Sequence, residues 1–493
     1  LLGACLPYVY GRRLRELGKQ VGLAPGYMDV VDLRTPFFSV NEPEAARRLA
    51  GSEIRMALAR VRRPGPPARE ARTVEPRALV VGGGIAGLYA ALAIADHGYP
   101  VEVVEREAAP GGNLTWLPRT LEGREPAELL GRVLAEVDKH PQVQLHTSSE
   151  VVESSGRAGR FRTVIQNAEG VRRTVEHGVV ILATGGCEAE PEGFGRGEAE
   201  KVFTQRELEQ ALAGEDLDPA GLESVVMIQC AGTRTGSRNY CSRVCCPTAV
   251  RQALLLRERN PKLSVWVLYR DMMTPGFLEA DYARAREAGV HFIQYAPERR
   301  PVVEAGSEKA AVTVWEPVLG RDVRIRADLV VLAGGVSPEL PAELAAAFGA
   351  GLDEDGFFQE ADGKWRPVDA LREGVFACGL ALSPRTVAES LASAGAAAER
   401  SLRILARETL PVDLRVARVR HALCSRCEQC LDACPYEARY VDPEKGLVVV
   451  DETACQGCGS CAAVCPNSAT VLEGLDDRRM LESIDAALEA GWR

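Results

Sequence analysis

Eight cysteines crowd into residues 424–465, and their spacing is the strongest chemical signal in the 493-residue sequence. They form two copies of one run, Cys424-x2-Cys427-x2-Cys430-x3-Cys434-Pro435 and Cys455-x2-Cys458-x2-Cys461-x3-Cys465-Pro466. Three closely spaced thiolates can wrap one face of an iron-sulfur cubane while the fourth cysteine of the run reaches across to a second cubane. The spacing therefore predicts two [4Fe-4S] clusters, one on Cys424, Cys427, Cys430 and Cys465 and the other on Cys455, Cys458, Cys461 and Cys434. A four-cysteine zinc site would call for paired Cys-x2-Cys knuckles, not triple runs with a trailing proline.

The same double run is that of the bacterial two-cluster ferredoxins. A second group, Cys230, Cys241, Cys245 and Cys246, is less standard. Adjacent cysteines chelate one zinc only under strain, but they can bind different irons of a larger cluster. On spacing alone the quartet fits a metal cluster and a thiol-disulfide relay equally well, with Cys245 and Cys246 as the redox pair beside a flavin. Cys187 and Cys378 sit at strand ends beside glycines and read as small buried side chains, and the role of Cys5 is open. Fifteen cysteines in so long a chain do not make a secreted disulfide scaffold. Clustered thiols point instead to metal and to a reducing, cytoplasmic compartment.

Gly82-Gly83-Gly84-Ile85-Ala86-Gly87 follows an apolar strand and opens an apolar helix. In that context Gly82 permits a tight turn, Gly84 lets a pyrophosphate approach the backbone, and Gly87 lets the helix pack on the strand. The helix N-terminus then faces the phosphates. Glu105, at the end of the next strand, is placed to accept from ribose hydroxyls. The following Pro110-Gly111-Gly112-Asn113, Ala183-Thr184-Gly185 and Gly374-Val375-Phe376-Ala377-Cys378-Gly379 are similar to the two-dinucleotide-domain flavoproteins. That resemblance implies FAD, held by Gly82, Gly84, Ile85, Ala86, Gly87, Glu105, Arg106, Gly112, Asn113, Leu114, Val151, Ala183, Thr184, Gly185, Gly379 and Leu380. Two departures stand out: Leu380 replaces the usual Asp after the last glycine, and Cys230 occupies a turn-glycine position where relatives bind nicotinamide.

These residues need a framework. Ordinary globular usage, 46% apolar and 26% charged, excludes a fibre or a disordered chain. Net charge of -10 and the lack of a basic stripe argue against a nucleic-acid partner. Ala78 to Ala95 is uncharged over a span-like length, but its glycines fit the dinucleotide turn better, so no transmembrane segment is expected. The alternation of strands and helices predicts an α/β fold: a doubly wound, discontinuous FAD domain with an inserted Rossmann-like domain, an α+β ferredoxin domain and a small N-terminal domain. The expected boundaries are 1–63 for the N-terminal domain, with helices over Arg12 to Val21 and Glu42 to Arg63; 64–76 for a linker; 77–190 and 329–412 for the FAD domain; 191–328 for the insert; 413–475 for the ferredoxin domain; and 476–493 for a tail that docks a partner or caps the ferredoxin domain. The chain opens on Leu1 without a recognisable signal sequence, and whether the N-terminal domain is truncated there is open.

Cys230-Ala-Gly-Thr-Arg234 through Asn239-Tyr-Cys-Ser-Arg-Val-Cys-Cys246, together with Tyr269-Arg-Asp271, Glu287-Ala-Gly-Val-His-Phe292 and Ser383-Pro-Arg-Thr-Val-Ala-Glu-Ser390, resembles the A-type subunits of heterodisulfide reductases. The resemblance implies a thioredoxin-reductase-like FAD core and a third [4Fe-4S] on Cys230, Cys241, Cys245 and Cys246. It also implies an oxidoreductase role relaying electrons to B- and C-like subunits and a hydrogenase- or dehydrogenase-linked adaptor, with a homodimer of the chain inside a larger assembly. Arg251 stands where electron-bifurcating members place a Lys beside the flavin, so it is the catalytic candidate. A fixed charge about 4 Å from the ring is worth up to about 4 kcal/mol at an effective dielectric of 20, enough to reshape the flavin potentials. The rival expectation is an NAD(P)H-dependent flavoprotein disulfide reductase using Cys245 and Cys246.

Overall fold

The computed structural model describes residues 2–4, 13–14, 17–18, 20–23, 27–62, 72–197, 201–304, 306, 309–339, 342–410, 416–435, 438–450, 452, 455, 457–475 and 477–488. Cys5, four of the ten residues from Arg12 to Val21 and most of the 64–76 linker lie outside them. The chain forms two compact units, one of residues 75–154 and 160–406, the other of 1–74, 155–159 and 407–493.

The larger unit holds two sheets. The first has seven strands in the order Glu360–Asp362, Arg366–Ala370, Val375–Ala377, Val179–Leu182, Ala78–Val81, Val101–Val104, Val143–His146. The last five run parallel, and the first two add antiparallel to the edge. Its central strands read as unbroken apolar runs and are buried on both faces, as a sheet sandwiched between helices requires. Ile85–Ala95 is buried almost all round because it lies between this sheet and the Ala-rich helix Val387–Leu405. Thr386 and Glu389 cap that second helix reciprocally, Thr386 Oγ1 accepting from the Glu389 amide and Glu389 Oε2 from the Thr386 amide. The uncharged Ala78–Ala95 stretch is thus strand, turn and core helix. Among the described residues no helix is long and apolar enough to cross a membrane.

The second sheet has five parallel strands, ordered Val202–Thr204, Leu329–Leu332, Ser224–Ile228, Ser264–Tyr269, His291–Gln294. This corrects the expected 328/329 boundary. Leu329–Leu332 is hydrogen-bonded on both sides within the inserted sheet, so the chain returns to the FAD domain only after it. The return passes a two-stranded link, Gly186–Glu188 against Val336–Pro338. Two antiparallel meanders, Ser149–Arg157 with Arg160–Asn167 and Arg172–His177, and Val302–Glu304 with Ala310–Glu316 and Arg321–Ala327, complete the unit.

In the smaller unit the cysteine-rich segment folds as two matching halves. Ala417–Val419 pairs with Thr470–Leu472, Arg439–Asp442 pairs with Leu447–Val450, and the short helices Gln429–Asp432 and Ser460–Ala463 carry Cys430 and Cys461. The N-terminal and C-terminal segments, expected as separate pieces, share this unit. Helix Asp477–Leu488 packs on helix Pro43–Arg62, with Arg55 Nε donating to the Ala486 carbonyl at 3.2 Å. The tail therefore covers the N-terminal helix. A two-residue ribbon, Arg72–Thr73 against Thr409–Leu410, closes the unit.

Candidate functional site

The dinucleotide turn begins where Ala78–Val81 ends. Gly82 has φ of +110°, and a Cβ on it would lie 2.2 Å from the Ala183 carbonyl oxygen. A Cβ on Gly87 would meet the Gly82 oxygen at 1.9 Å, so only glycine lets helix and strand approach this closely. A Cβ on Gly84, by contrast, would meet nothing within 4 Å. That clearance lies at the N-cap of Ile85–Ala95, which has no side-chain cap, so first-turn amides are left for an anion. Glu105 Oε2 accepts from the Gly83 amide at 2.6 Å and Oε1 from the Glu107 amide at 2.8 Å.

The remaining expected FAD contacts gather around this turn. Gly84 bridges Gly111, and Gly112, with φ of +55°, lies against the Gly84 Cα. Asn113 Nδ2 donates to the Gly186 carbonyl at 2.8 Å. Ala183 sits against Gly82, Gly185 takes φ of +83°, and the buried Thr184 Oγ1 has no partner among the described residues. Gly379 approaches Ala86, and Leu380 lies beside Gly186. Leu114, Ile85 and Ala86 are buried, Leu114 and Ile85 in one core cluster with Leu88. Two residues stand further out: Arg106 pairs with Glu339 at 2.5 Å and with Glu107, and Val151 lies on the meander whose Ser149 amide donates to the Glu105 carbonyl. The open space at Gly84, the tethered carboxylate and the orphan hydroxyl of Thr184 fit a dinucleotide.

In the inserted unit, strand Ser224–Ile228 runs through Gln229 into Cys230, whose φ of +57° is the left-handed value that the glycine of a nucleotide turn normally takes. Cys245 and Cys246 are the first two residues of helix Cys245–Arg259. The four thiols of Cys230, Cys241, Cys245 and Cys246 lie close enough to perturb one another, and no disulfide joins them. Burial pushes Cys230 up, Cys245 well up and Cys246 up to about 12. Such thiols are poor nucleophiles until a cation binds them. Arg234, itself paired with Asp271 at 2.7 Å, is the charge that most opposes burial at Cys230, and the Arg243 amide donates to Cys241 Sγ at 3.4 Å.

Arg251 lies two turns into the same helix, and three hydrogen bonds hold its guanidinium. Nη2 meets Glu209 Oε1 at 2.5 Å, and Nη1 donates to the carbonyls of Arg119 at 2.9 Å and Thr120 at 2.7 Å. Gln252 Nε2 donates to Glu209 Oε2 and to the Gln205 carbonyl, and Gln205 Nε2 donates to the Cys245 carbonyl. This chain of bonds runs from the cysteine-bearing helix to the 119–120 turn, and beyond amphipathic spacing no sequence signal marks it. Glu188, pushed up by burial and only partly offset by the Thr204 hydroxyl at 2.6 Å, is a half-buried carboxylate that spacing does not reveal.

The cysteine-rich halves enclose two cavities. One is lined by Cys455, Cys458 and Cys461 with Cys434, and by Arg439; the other by Cys424, Cys427 and Cys430 with Cys465. The fourth thiol of each run thus crosses to the other half. Backbone amides already point at the crossing sulfurs, Ala438 N to Cys434 Sγ at 3.3 Å and Ala469 N to Cys465 Sγ at 3.2 Å. For Cys465, donors from Thr470, Asn467 and Ala469 outweigh burial and hold the thiol below its ordinary value. Among the described residues no three His, Cys, Asp or Glu side chains close on a single ion. One zinc would draw four sulfurs within about 3.8 Å of each other, whereas rings of thiols around a cavity suit a polynuclear cluster.

The profile of the family described as pyridine nucleotide-disulphide oxidoreductase matches residues 76–228, and that of the 4Fe-4S dicluster domain matches residues 423–469. The chain is 29% identical over 587 residues to the A-type iron-sulfur subunit of the CoB--CoM heterodisulfide reductase of Methanocaldococcus jannaschii, covering 99% of this chain and 89% of the relative. It is 30% identical over 588 residues to the first-numbered A-type iron-sulfur subunit of the CoB--CoM heterodisulfide reductase of Methanopyrus kandleri, covering 98% and 83%. Both alignments are longer than 493 residues, so the relatives hold segments with no counterpart here. Thioredoxin reductase of Lactococcus lactis superposes with a TM-score of 0.48 at 18% identity, over 67% of this chain and 99% of that one.

Proposed function

The chain belongs to the family of A-type heterodisulfide reductase subunits, and on that premise we propose that it exchanges electron pairs at a bound FAD and relays single electrons through three [4Fe-4S] clusters to partner subunits. It is an oxidoreductase, an electron-transfer subunit of flavin and iron-sulfur type. FAD supplies the conversion between two-electron and one-electron chemistry, and the clusters supply the one-electron path. The rest is the work of this chain's residues. The amides after Gly84 receive the pyrophosphate, Glu105 holds the turn and the ribose, and Thr184 and Gly185 line the approach beside Gly82. Cys230, Cys241, Cys245 and Cys246 hold the third cluster.

The observation that carries the reading is the crossed lining of the two cavities, Cys434 with the second run and Cys465 with the first, which is the ligand arrangement of a two-cluster relay. Two such centres alongside a dinucleotide cradle suit a chain that serves other subunits: B- and C-like proteins and a hydrogenase- or dehydrogenase-linked adaptor, with this chain as a homodimer in the assembly. The relatives are CoB-CoM heterodisulfide reductase subunits, which suits that heterodisulfide as the acceptor at the far end. Bifurcation depends on separating the flavin's one-electron potentials. Here the Arg251 charge is matched by Glu209, so the field that it exerts is that of an ion pair and not of a lone cation.

Iron, sulfide and FAD quantitation on anaerobically purified protein tests this. About twelve irons and one FAD per chain, with no bleaching of the flavin by NADH or NADPH, is the expected result. About eight irons with rapid bleaching by either nicotinamide would replace the relay with a disulfide reductase built on Cys245 and Cys246.

A further inference from the structure

Arg439 is 5% exposed; Nη2 donates to Thr470 Oγ1 at 2.8 Å and the guanidinium also reaches the Cys461 thiol, while among the described residues Nε and Nη1 meet no oxygen or nitrogen partner. Among the described residues no carboxylate pairs with it. A buried, unpaired cation is strongly disfavoured unless an anion reaches it. The guanidinium lines the cavity of Cys434, Cys455, Cys458 and Cys461, and four thiolates around a cubane make that anion.

The two halves of the fold sharpen the point. Cys434 and Cys465 each accept from the amide four residues on, that of Ala438 and that of Ala469. The next residue is Arg439 in one half and Thr470 in the other, and Thr470 lines the opposite cavity. The halves share this amide donor, but the buried guanidinium lines only the cavity of Cys434, Cys455, Cys458 and Cys461, its charge reaching Cys430 of the other half from a distance. Reduction adds negative charge to a cluster, and a fixed cation beside it favours the reduced form.

We propose that Arg439 sets the reduction potential of the cluster on Cys434, Cys455, Cys458 and Cys461, making it the easier of the two to reduce and giving the relay a direction. The inference rests on the cluster assignment proposed above. Its test is an EPR-monitored redox titration of the full, iron-loaded chain, parent against Arg439→Gln and Arg439→Lys. Arg439→Gln should keep the parent's iron and sulfide content while one cluster becomes at least about tenfold harder to reduce, a 59 mV fall in midpoint for one electron. Arg439→Lys, which keeps the charge but not the fork, should restore most of that. Unchanged midpoints in a fully loaded Arg439→Gln, or an equal fall in Arg439→Lys, would overturn the role of the charge. Where Arg439→Gln fails to load, Arg439→Met is the neutral variant of better apolar fit and is read by the same criterion. A parent chain carrying fewer than two clusters would overturn the assignment beneath the inference, and its iron count distinguishes that failure from the other.

Discussion

Replacing Cys230 by glycine should set backbone preference against chemistry. The residue holds φ of +57° just beyond the end of strand Ser224–Ile228, in the slot that a nucleotide-binding turn gives to glycine. A left-handed conformation costs an L-residue about 1–2 kcal/mol. Glycine escapes that cost but gives up about 0.5–1 kcal/mol more chain entropy on folding. The net gain for Cys230→Gly in iron-free protein is therefore about 1 kcal/mol. Cys230→Ala loses the same thiol but keeps the Cβ and its strain, so the difference between the two variants isolates the backbone. Thermal unfolding of the iron-free forms should place Cys230→Gly roughly 2 °C above Cys230→Ala. Anaerobic reconstitution should leave both with about four irons fewer than the parent, as the loss of one cubane requires. If Cys230→Ala melts at or above Cys230→Gly, the strain is not real. If either variant keeps the parent's iron, Cys230 is not a ligand.

Glu209→Gln should leave Arg251 largely buried without its counter-charge, and we expect a loss of about 3 kcal/mol in unfolding free energy, read by denaturant titration of the flavin-loaded protein. Glu428 sits at φ of +60° where the second cysteine run has Gly459 at +87°, so Glu428→Gly should stabilise the smaller unit by about 1 kcal/mol in thermal melts and keep its irons. His177 is fully buried, stacked on Phe161, with Nδ1 on the Val179 carbonyl and Nε2 on the Thr163 hydroxyl, and burial lowers its pKa to about 4. The unfolded chain takes up its proton near pH 6.5 and the folded chain only near 4. Stability is therefore intact above pH 6.5 and falls through that window by about 3 kcal/mol in all. Unfolding midpoints from pH 7 to 4 should show this slope, and His177→Phe should flatten it.

The groupings that rest on spacing were largely legible. Two cysteine runs and a glycine turn are local in sequence, and the fold only brings their members a few residues closer. The crossing of Cys434 and Cys465 was readable because the run is a fixed motif. Contacts between distant segments were not readable. Nothing in the spacing announces that Arg251 is tied to Glu209 and Thr120, or that Arg439 meets Thr470, since each pair is formed by tertiary packing. The meanders escaped for a related reason: Arg160–Asn167 alternates buried and solvated residues over a few positions and lacks the long apolar runs of the parallel strands. Leu329–Leu332 did look like a buried parallel strand, but an apolar run does not say which of two sheets will claim it.

The short ribbon of the smaller unit has its own consequence. Thr73 stands directly opposite Thr409, so the chain leaves this unit and re-enters it at adjoining points more than three hundred residues apart in sequence. Apart from the brief return at residues 155–159, the nucleotide-binding body is thus a guest spliced into one loop of an iron-sulfur host. A tight turn of a few residues could span the same gap. A gene that shed that guest would leave the host's threading unaltered but for the loss of residues 155–159.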